Sequence, residues 1–137
     1  EVLIQTEYPE HPLLQSLLAE GYDGFARAAL LERKEAGWPP FSRLAALRAS
    51  GTDPGAAINF LAAARRAAPG TRGLRLLGPA PSAMAKRAAR WHAQLLIECR
   101  DRGPLHRFLE NWLPLIADLP EARRVRWAID VDPLEIL

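Results

Sequence analysis

The 137-residue chain has almost no cysteine, little histidine and no long apolar run. Cys99 is the only cysteine, so neither an internal disulfide nor a thiolate zinc cluster can form, and the three histidines are too scattered to replace one. No uncharged apolar stretch approaches the ~18–20 residues of a membrane-spanning helix, and the N-terminus lacks the pattern of a signal peptide. We therefore expect a cytoplasmic protein with no membrane partner.

Motifs for binding or cleaving nucleotides are also missing. The chain contains no G-x-x-x-x-G-K-[ST], which would wrap a phosphate in backbone N–H groups, and no G-x-G-x-x-G, H-E-x-x-H or G-x-S-x-G. The sequence shows no candidate nucleophile or orienting acid for His92 or His106. Hydrogen-bonding roles are therefore favoured for both. The sequence predicts a noncatalytic chain that holds no cofactor of its own.

The near-neutral net charge of +2 hides two parts of opposite sign. Residues 1–40 hold three basic and seven acidic side chains, whereas residues 41–137 hold fifteen basic and nine acidic ones. The sign changes next to Trp38-Pro39-Pro40-Phe41, which we predict to be extended because a residue before proline avoids the helical region. Two domains are therefore predicted, residues 1–40 and 41–137, the second with an anionic partner.

Hydrophobic spacing predicts the elements of each part. Residues 2–6 are predicted to form a short buried strand, followed by a helix from Pro12 and a second helix that Asp23 caps and Gly37 ends. Beyond residue 41, strands are predicted at 42–50, 73–77, 91–99 and 124–132. Helices are predicted over 53–68, with Asp53 as N-cap, and from Gly103, with a kink or early end at Pro114. Residues 78–81 are predicted to be a loop.

This order of elements is typical of an α+β fold of the split βαβ (βαββαβ) type. Two helices would cover one face of a four-stranded antiparallel sheet and leave the other face to a partner. On the last strand, Asp130 and Asp132 share a face with Arg124 and Arg126. Ion pairing is favoured there over a magnesium site, because no third oxygen ligand is evident.

Basic residues concentrate between Arg65 and Arg102, where nine basic side chains face two acidic ones. Around the third strand they are interleaved with an aromatic residue that could stack on an unpaired base. The alternative is that these residues form a solvent-exposed charged surface without a ligand, as expected in a chain rich in arginine. The candidate nucleic-acid-binding residues are Arg65, Arg66, Arg75, Lys86, Arg87, Arg90, Trp91, His92, Arg124 and Arg126.

Several ordered motifs resemble the C-terminal end of the PriA family of replication-restart helicases. They are Ile4-Gln5-Thr6, Pro9-Glu10-His11, Tyr22-x-x-Phe25 with Arg33, Pro39-Pro40-Phe41, Gly78-Pro79-Ala80-Pro81, Gln94-Leu95-Leu96 and Asp130-Val131-Asp132-Pro133-Leu134. One departure is Trp91-His92, where the family usually has Tyr-Arg. The aromatic is kept, but a titratable side chain replaces a fixed cation.

The resemblance implies that residues 1–40 are the tail of the second helicase lobe and that residues 41–137 are a DNA-binding domain. Members of the family are ATP-dependent 3′-to-5′ DNA helicases that act on branched forks during primosome assembly. Their ATP, magnesium and zinc sites would precede Glu1.

The main hypothesis is thus a noncatalytic module for forked, duplex or single-stranded DNA, joined to a helicase lobe. Two alternatives stay open at this point. One is a docking module for single-stranded-DNA-binding protein or other primosome proteins. The other is an RNA-binding domain like that of a ribosomal protein.

Overall fold

A computed structural model describes residues 3–133. It divides the chain into two compact units, Glu1–Phe41 and Ser42–Leu137. No helix in the described part of the chain combines the length and the apolarity needed to cross a membrane.

The first unit is mainly one broken helix, α1 (Pro12–Glu35). The imidazole of His11 caps it by accepting a hydrogen bond from the Leu13 N–H at 3.3 Å. The backbone leaves helical conformation at Gly21 (φ 70°, ψ −163°), which separates the two predicted helical segments.

The strand predicted over residues 2–6 is wrong for residues 3–6, and Val2 lies outside the described residues. Residues 3–6 are irregular, and Leu3 is 89 % exposed. The described part of this unit contains no strand with which they could form backbone hydrogen bonds, so their apolar side chains alone do not produce a strand.

The proline-rich segment after α1 is a tight turn, not the extended link that we predicted. The Phe41 N–H donates to the Trp38 carbonyl oxygen at 2.9 Å, and the Pro39–Pro40 peptide bond is cis. This hydrogen bond closes a four-residue turn, so keeping the residues before proline out of the helical region was not enough to make the segment extended.

The second unit has the predicted split βαβ fold. Its strands are β1 (Arg43–Gly51), β2 (Leu74–Arg87), β3 (Arg90–Cys99) and β4 (Arg126–Val131). They form one sheet in the order β2-β3-β1-β4, and every pair is antiparallel. The helices α2 (Ala56–Arg66) and α3 (Arg102–Ala117) follow β1 and β3, and a 3₁₀ helix (Pro120–Arg124) precedes β4.

The core lies between one face of the sheet and the two helices. Leu47, Leu95 and Ile97 of the central strands are fully buried against Phe60 of α2 and Trp112 of α3. Because side chains alternate along a strand, the even-numbered residues of β1, β3 and β4 point to the opposite face. We call this the open face. Both helices of the unit pack on the other side.

Helix boundaries in the second unit differ from the prediction in two places. α2 begins at Ala56 after Gly55, and the Asp53 carbonyl accepts a turn hydrogen bond from the Ala56 N–H at 3.2 Å, so Asp53 is not its N-cap. α3 continues through Pro114 and ends three residues later at Ala117. Pro114 is exposed, so water can satisfy the carbonyl that loses its N–H donor.

β2 is almost three times longer than predicted. The Gly78–Pro81 segment is part of the strand, and the pairing with β3 shifts between Leu77 and Ala80 and again between Pro81 and Lys86. Bulges of this kind let a proline-containing segment stay in a sheet. β4 is shorter than predicted, because Arg124 lies in the 3₁₀ helix.

The turn between β2 and β3 consists of Ala88 and Ala89, both at positive φ (49° and 57°). Two-residue hairpin turns of this type favour Asn-Gly, because alanine is strained in the left-handed region. We expect the double substitution Ala88→Asn, Ala89→Gly to raise the unfolding free energy by about 1 kcal/mol in urea titrations. The control is Ala67→Gly, where φ is −79°. An equal gain at that position would contradict the explanation.

Candidate nucleic-acid interface

A concavity of about 420 Å³ opens on one end of the open face. Its floor is formed by β1, β3 and β4, and one wall is the bulged segment of β2 around Ser82–Met84. We call it the basic concavity, because its charged side chains are all cationic. Its polar lining residues are Arg48, Ser50, Ser82, Arg87, His92, Gln94 and Arg126.

Strand register places the donors of the floor in a row. Ser50 of β1 pairs with His92 on one side and with Arg126 on the other, so these three side chains share a face at the same height. Arg87 pairs with Arg90 at the end of the hairpin and extends the row onto β2. The row therefore crosses β4, β1 and β3 at one height and continues onto β2 at Arg87, which lies two residues further along, opposite Arg90.

Arg87 and Arg126 are the exposed cations of this row. Within residues 3–133, neither has a carboxylate within ion-pair distance. Arg48 is instead 3.6 Å from Asp130 across the β1–β4 pair. The predicted ion pairing of Asp130 is thus present, although its partner is Arg48 and not Arg124 or Arg126.

The far end of the open face has a paired charge and buried apolar residues instead of exposed arginines that are unpaired within the described residues. Glu98 of β3 binds the guanidinium of Arg75, with Nε to Oε2 at 3.1 Å. Leu44 and Ala46 of β1 are buried, whereas Arg48 is exposed. The expectation of a sheet face entirely open to a partner therefore holds at the basic end only.

The remaining candidate arginines are spread over the second unit. Arg65 donates to the Gly78 carbonyl and links the end of α2 to β2, and Arg66 is exposed in the same helical turn. Arg124 lies beside the start of α2, with Asp53 and Glu121 among its neighbours. None of the three lines the basic concavity.

Arg90 is engaged within the protein. Its Nε and Nη2 donate to the Ser50 hydroxyl at 3.2 Å and to the Ser50 carbonyl at 2.8 Å. The side chain is half-buried. These hydrogen bonds hold the end of the hairpin against the last residues of β1.

Lys86 and Trp91 lie on the helix-covered side of the sheet. They pair directly across the hairpin, and Trp91 also pairs with Gly51 of β1. A Cβ added at Gly51 would lie 2.8 Å from the Cβ of Ala56 in α2, so this side of the strands faces the helix. The Lys86 ammonium lies 5.3 Å from the centre of the Trp91 ring, a cation–π distance. Trp91 and His92, adjacent in sequence, therefore face opposite sides.

Arg48 and Gln94 belong to the concavity but are absent from the predicted set. Both are at even-numbered positions of predicted strands, and they pair with each other in the register. Strand alternation combined with the strand order would have placed them beside His92. A search for clusters of basic residues along the sequence missed them, because Arg48 is isolated in an apolar strand.

The described residues hold no group of three or more histidine, cysteine or acidic side chains suited to a metal ion. Asp132 follows the end of β4 at φ 53°, so the strand alternation that would have put its side chain on the same face as Asp130 ends before it. His106 accepts a hydrogen bond from Arg102 Nε at 3.3 Å on the exposed side of α3, in keeping with the role expected for it.

Residues 34–134, the whole sheet and both helices of the second unit included, match the family described as Primosomal protein N C-terminal domain. The chain belongs to this family. The resemblance seen in the sequence motifs is thereby confirmed.

Several similar curated proteins are named Replication restart protein PriA. The protein of Haemophilus influenzae is 37 % identical over 99 % of this chain, that of Rickettsia felis 33 % over 96 %, and that of Synechocystis 32 % over 99 %. The chain spans only 19 %, 20 % and 16 % of the lengths of these relatives.

Proposed function

We propose that this chain is a noncatalytic DNA-binding module of a replication-restart protein. The basic concavity is the observation that supports it: two exposed arginines without acidic partners in the described residues, a histidine and several neutral donors converge on one end of a sheet. Phosphate oxygens are the acceptors that such a set of donors fits. Binding of this kind is largely independent of sequence.

The parent protein is proposed to be an ATP-dependent 3′-to-5′ DNA helicase in the cytoplasm. Residues 1–40 would be the tail of its second helicase lobe, and its ATP, magnesium and zinc sites would lie outside the present chain. In this arrangement the module would hold branched DNA or forks during primosome assembly while another part of the parent performs the chemistry.

The proposed DNA contacts fall into two groups. Arg87, His92 and Arg126 would bind phosphates directly in the basic concavity. Lys86 and Trp91, on the other side of the hairpin, would contribute a second surface, where a stacking base competes with the Lys86 ammonium for one face of the indole.

Salt dependence of binding tests the first group. Each phosphate contact adds about 0.9 to the slope of log affinity against log salt for duplex DNA. We expect Arg87→Ala, Arg126→Ala to flatten the slope by about 1.8 on forked DNA, measured by fluorescence anisotropy between 50 and 200 mM salt. The matched control is Arg107→Ala, Arg123→Ala, which removes two exposed arginines outside the concavity and outside the candidate set and changes the net charge equally. Equal flattening by both pairs would contradict the assignment.

The same measurement separates the two alternatives. A docking module for single-stranded-DNA-binding protein or another restart factor would bind forked, duplex and single-stranded DNA equally weakly. An RNA-binding domain would prefer an unpaired RNA. Either result would overturn the proposed function.

A further inference from the structure

We propose that the open face binds an unpaired DNA strand that crosses the β-strands at their basic end, with one nucleotide seated in the basic concavity. This inference rests on the proposed DNA-binding function and specifies the form of DNA. It follows from the size of the concavity, the position of the charges and the character of its wall.

The size of the concavity favours an unpaired nucleotide. A volume of about 420 Å³ lies near the lower end of the range for small-molecule sites, which begins at about 300 Å³. One nucleotide with an unstacked base can enter such a space. The backbone of a duplex is convex and keeps its bases inside, so a duplex could touch only the rim.

The charges fix the direction of the strand. Arg87, His92 and Arg126 form a row across the sheet, while Glu98 and Asp130 lie on the same face toward its other end. A polyanion that ran along the β-strands would leave Arg87 and Arg126 and meet Glu98 and Asp130, whose carboxylates already have Arg75 and Arg48 as ion-pair partners. A polyanion that crosses the β-strands stays on the row.

The length of the row sets the size of the site. Four neighbouring strands span three gaps, or about 14 Å from β2 to β4. At the rise of ~3.4 Å per nucleotide of a stacked strand, this distance accommodates at most about four nucleotides. A short oligonucleotide is therefore sufficient to fill it.

The wall of the concavity provides a surface for the base. Met84 is 64 % exposed on the bulge of β2, and Ala83 and Ala128 also line the space. Apolar side chains beside a phosphate-binding row would bury no apolar surface against the charged exterior of a duplex. They suit the face of an unpaired base, which gains from leaving water regardless of its identity.

The test compares three fluorescein-labelled ligands at 50 mM salt: a 12-nucleotide oligo-dT, a 12-base-pair duplex and a 12-nucleotide oligo-U. The duplex carries twice as many phosphates, so charge alone favours it. We expect oligo-dT to bind at least about tenfold more tightly than the duplex, because only its bases can enter the concavity.

One variant locates the site. Met84→Asp places a carboxylate on the wall, and like-charge repulsion should lower the affinity for oligo-dT by about tenfold while changing duplex binding by less than about twofold. The matched control, Leu115→Asp on the exposed side of α3, should leave oligo-dT binding unchanged. An oligo-dT affinity that Met84→Asp leaves unaltered overturns the site.

The failures are distinguishable. If the duplex binds as tightly as oligo-dT, the inference is wrong and the DNA-binding function stands. If neither DNA binds, the proposed function is wrong and the inference falls with it. Tighter binding of oligo-U than of oligo-dT would overturn the assignment to DNA.

Discussion

Replacing Trp112 with alanine is expected to lower the unfolding free energy of the chain by about 4 kcal/mol. The indole is fully buried at the centre of α3, packs against Phe108 with ring centres 5.0 Å apart, and donates from Nε1 to the Ala64 carbonyl of α2 at 2.9 Å. The substitution opens a cavity between the two helices and leaves a buried carbonyl without its donor. Domains of this size are stable by only ~5–15 kcal/mol. The variant would therefore be largely unfolded well below the melting temperature of the unsubstituted chain.

Two controls separate packing from the hydrogen bond. Trp112→Phe keeps most of the apolar volume and loses the donor, so it should cost about half as much as the alanine variant. Trp38→Ala removes an indole that is 43 % exposed in the first unit and should change stability by less than about 1 kcal/mol. Urea unfolding followed by far-ultraviolet circular dichroism measures all three. A cost for Trp112→Ala no larger than that for Trp38→Ala would contradict the helix packing described here.

The sheet could be predicted because its strands obey a simple physical rule. Trp127 and Ile129 alternate with Arg126, Ala128 and Asp130, and the first two pack on the core while Arg126 and Asp130 face the other way. Alternation of this kind leaves one register with the apolar side buried. The core of α3 could be predicted from helical spacing, and its apolar stripe is buried at Leu105, Phe108 and Trp112.

β2 could not be predicted in the same way. Its proline and glycine content is typical of a loop, and only its pairing with β3 keeps it extended through two bulges. Since the bulges decide which side chains face inward, residue pattern alone could not predict that Ser82–Met84 would form a wall of the concavity.

The candidate site was predicted only in part. Neighbours in a strand point in opposite directions, so grouping Trp91 with His92 by sequence proximity joined two different surfaces. Arg48 lies more than forty residues from His92 in the chain, and only the β1–β3 register brings them to one face. Proximity across a sheet depends on strand order, which composition and local motifs do not report.

Arg90→Ala is expected to destabilise the chain by about 2 kcal/mol without changing how its DNA binding depends on salt. The guanidinium donates to both the hydroxyl and the carbonyl of Ser50, and hydrogen bonds from a charged donor contribute more than neutral ones. Its removal leaves the end of the β2–β3 hairpin held to β1 by strand pairing alone. These hydrogen bonds use two of the five N–H donors of the guanidinium and hold it at the end of β1, and Arg90 does not line the basic concavity.

Arg90 has a different role from the two basic residues near it in the sequence, Lys86 and Arg87. Lys86, Arg87 and Arg90 lie within five residues, and three phosphate contacts would flatten the salt slope by about 2.7. Only Arg87 lines the basic concavity, so we expect most of the effect from Arg87→Ala and none from Arg90→Ala at a temperature where both variants are folded.

Arg90→Lys is the sharpest comparison for this assignment. It keeps the positive charge but cannot bridge the hydroxyl and the carbonyl as the planar guanidinium does, so it should recover less than half of the lost stability. A phosphate-binding role would give the reverse pattern, with the salt slope restored by lysine and stability scarcely altered by alanine. Urea titration and anisotropy on the same three proteins decide between the two, because a structural attachment changes the first and a phosphate contact changes the second.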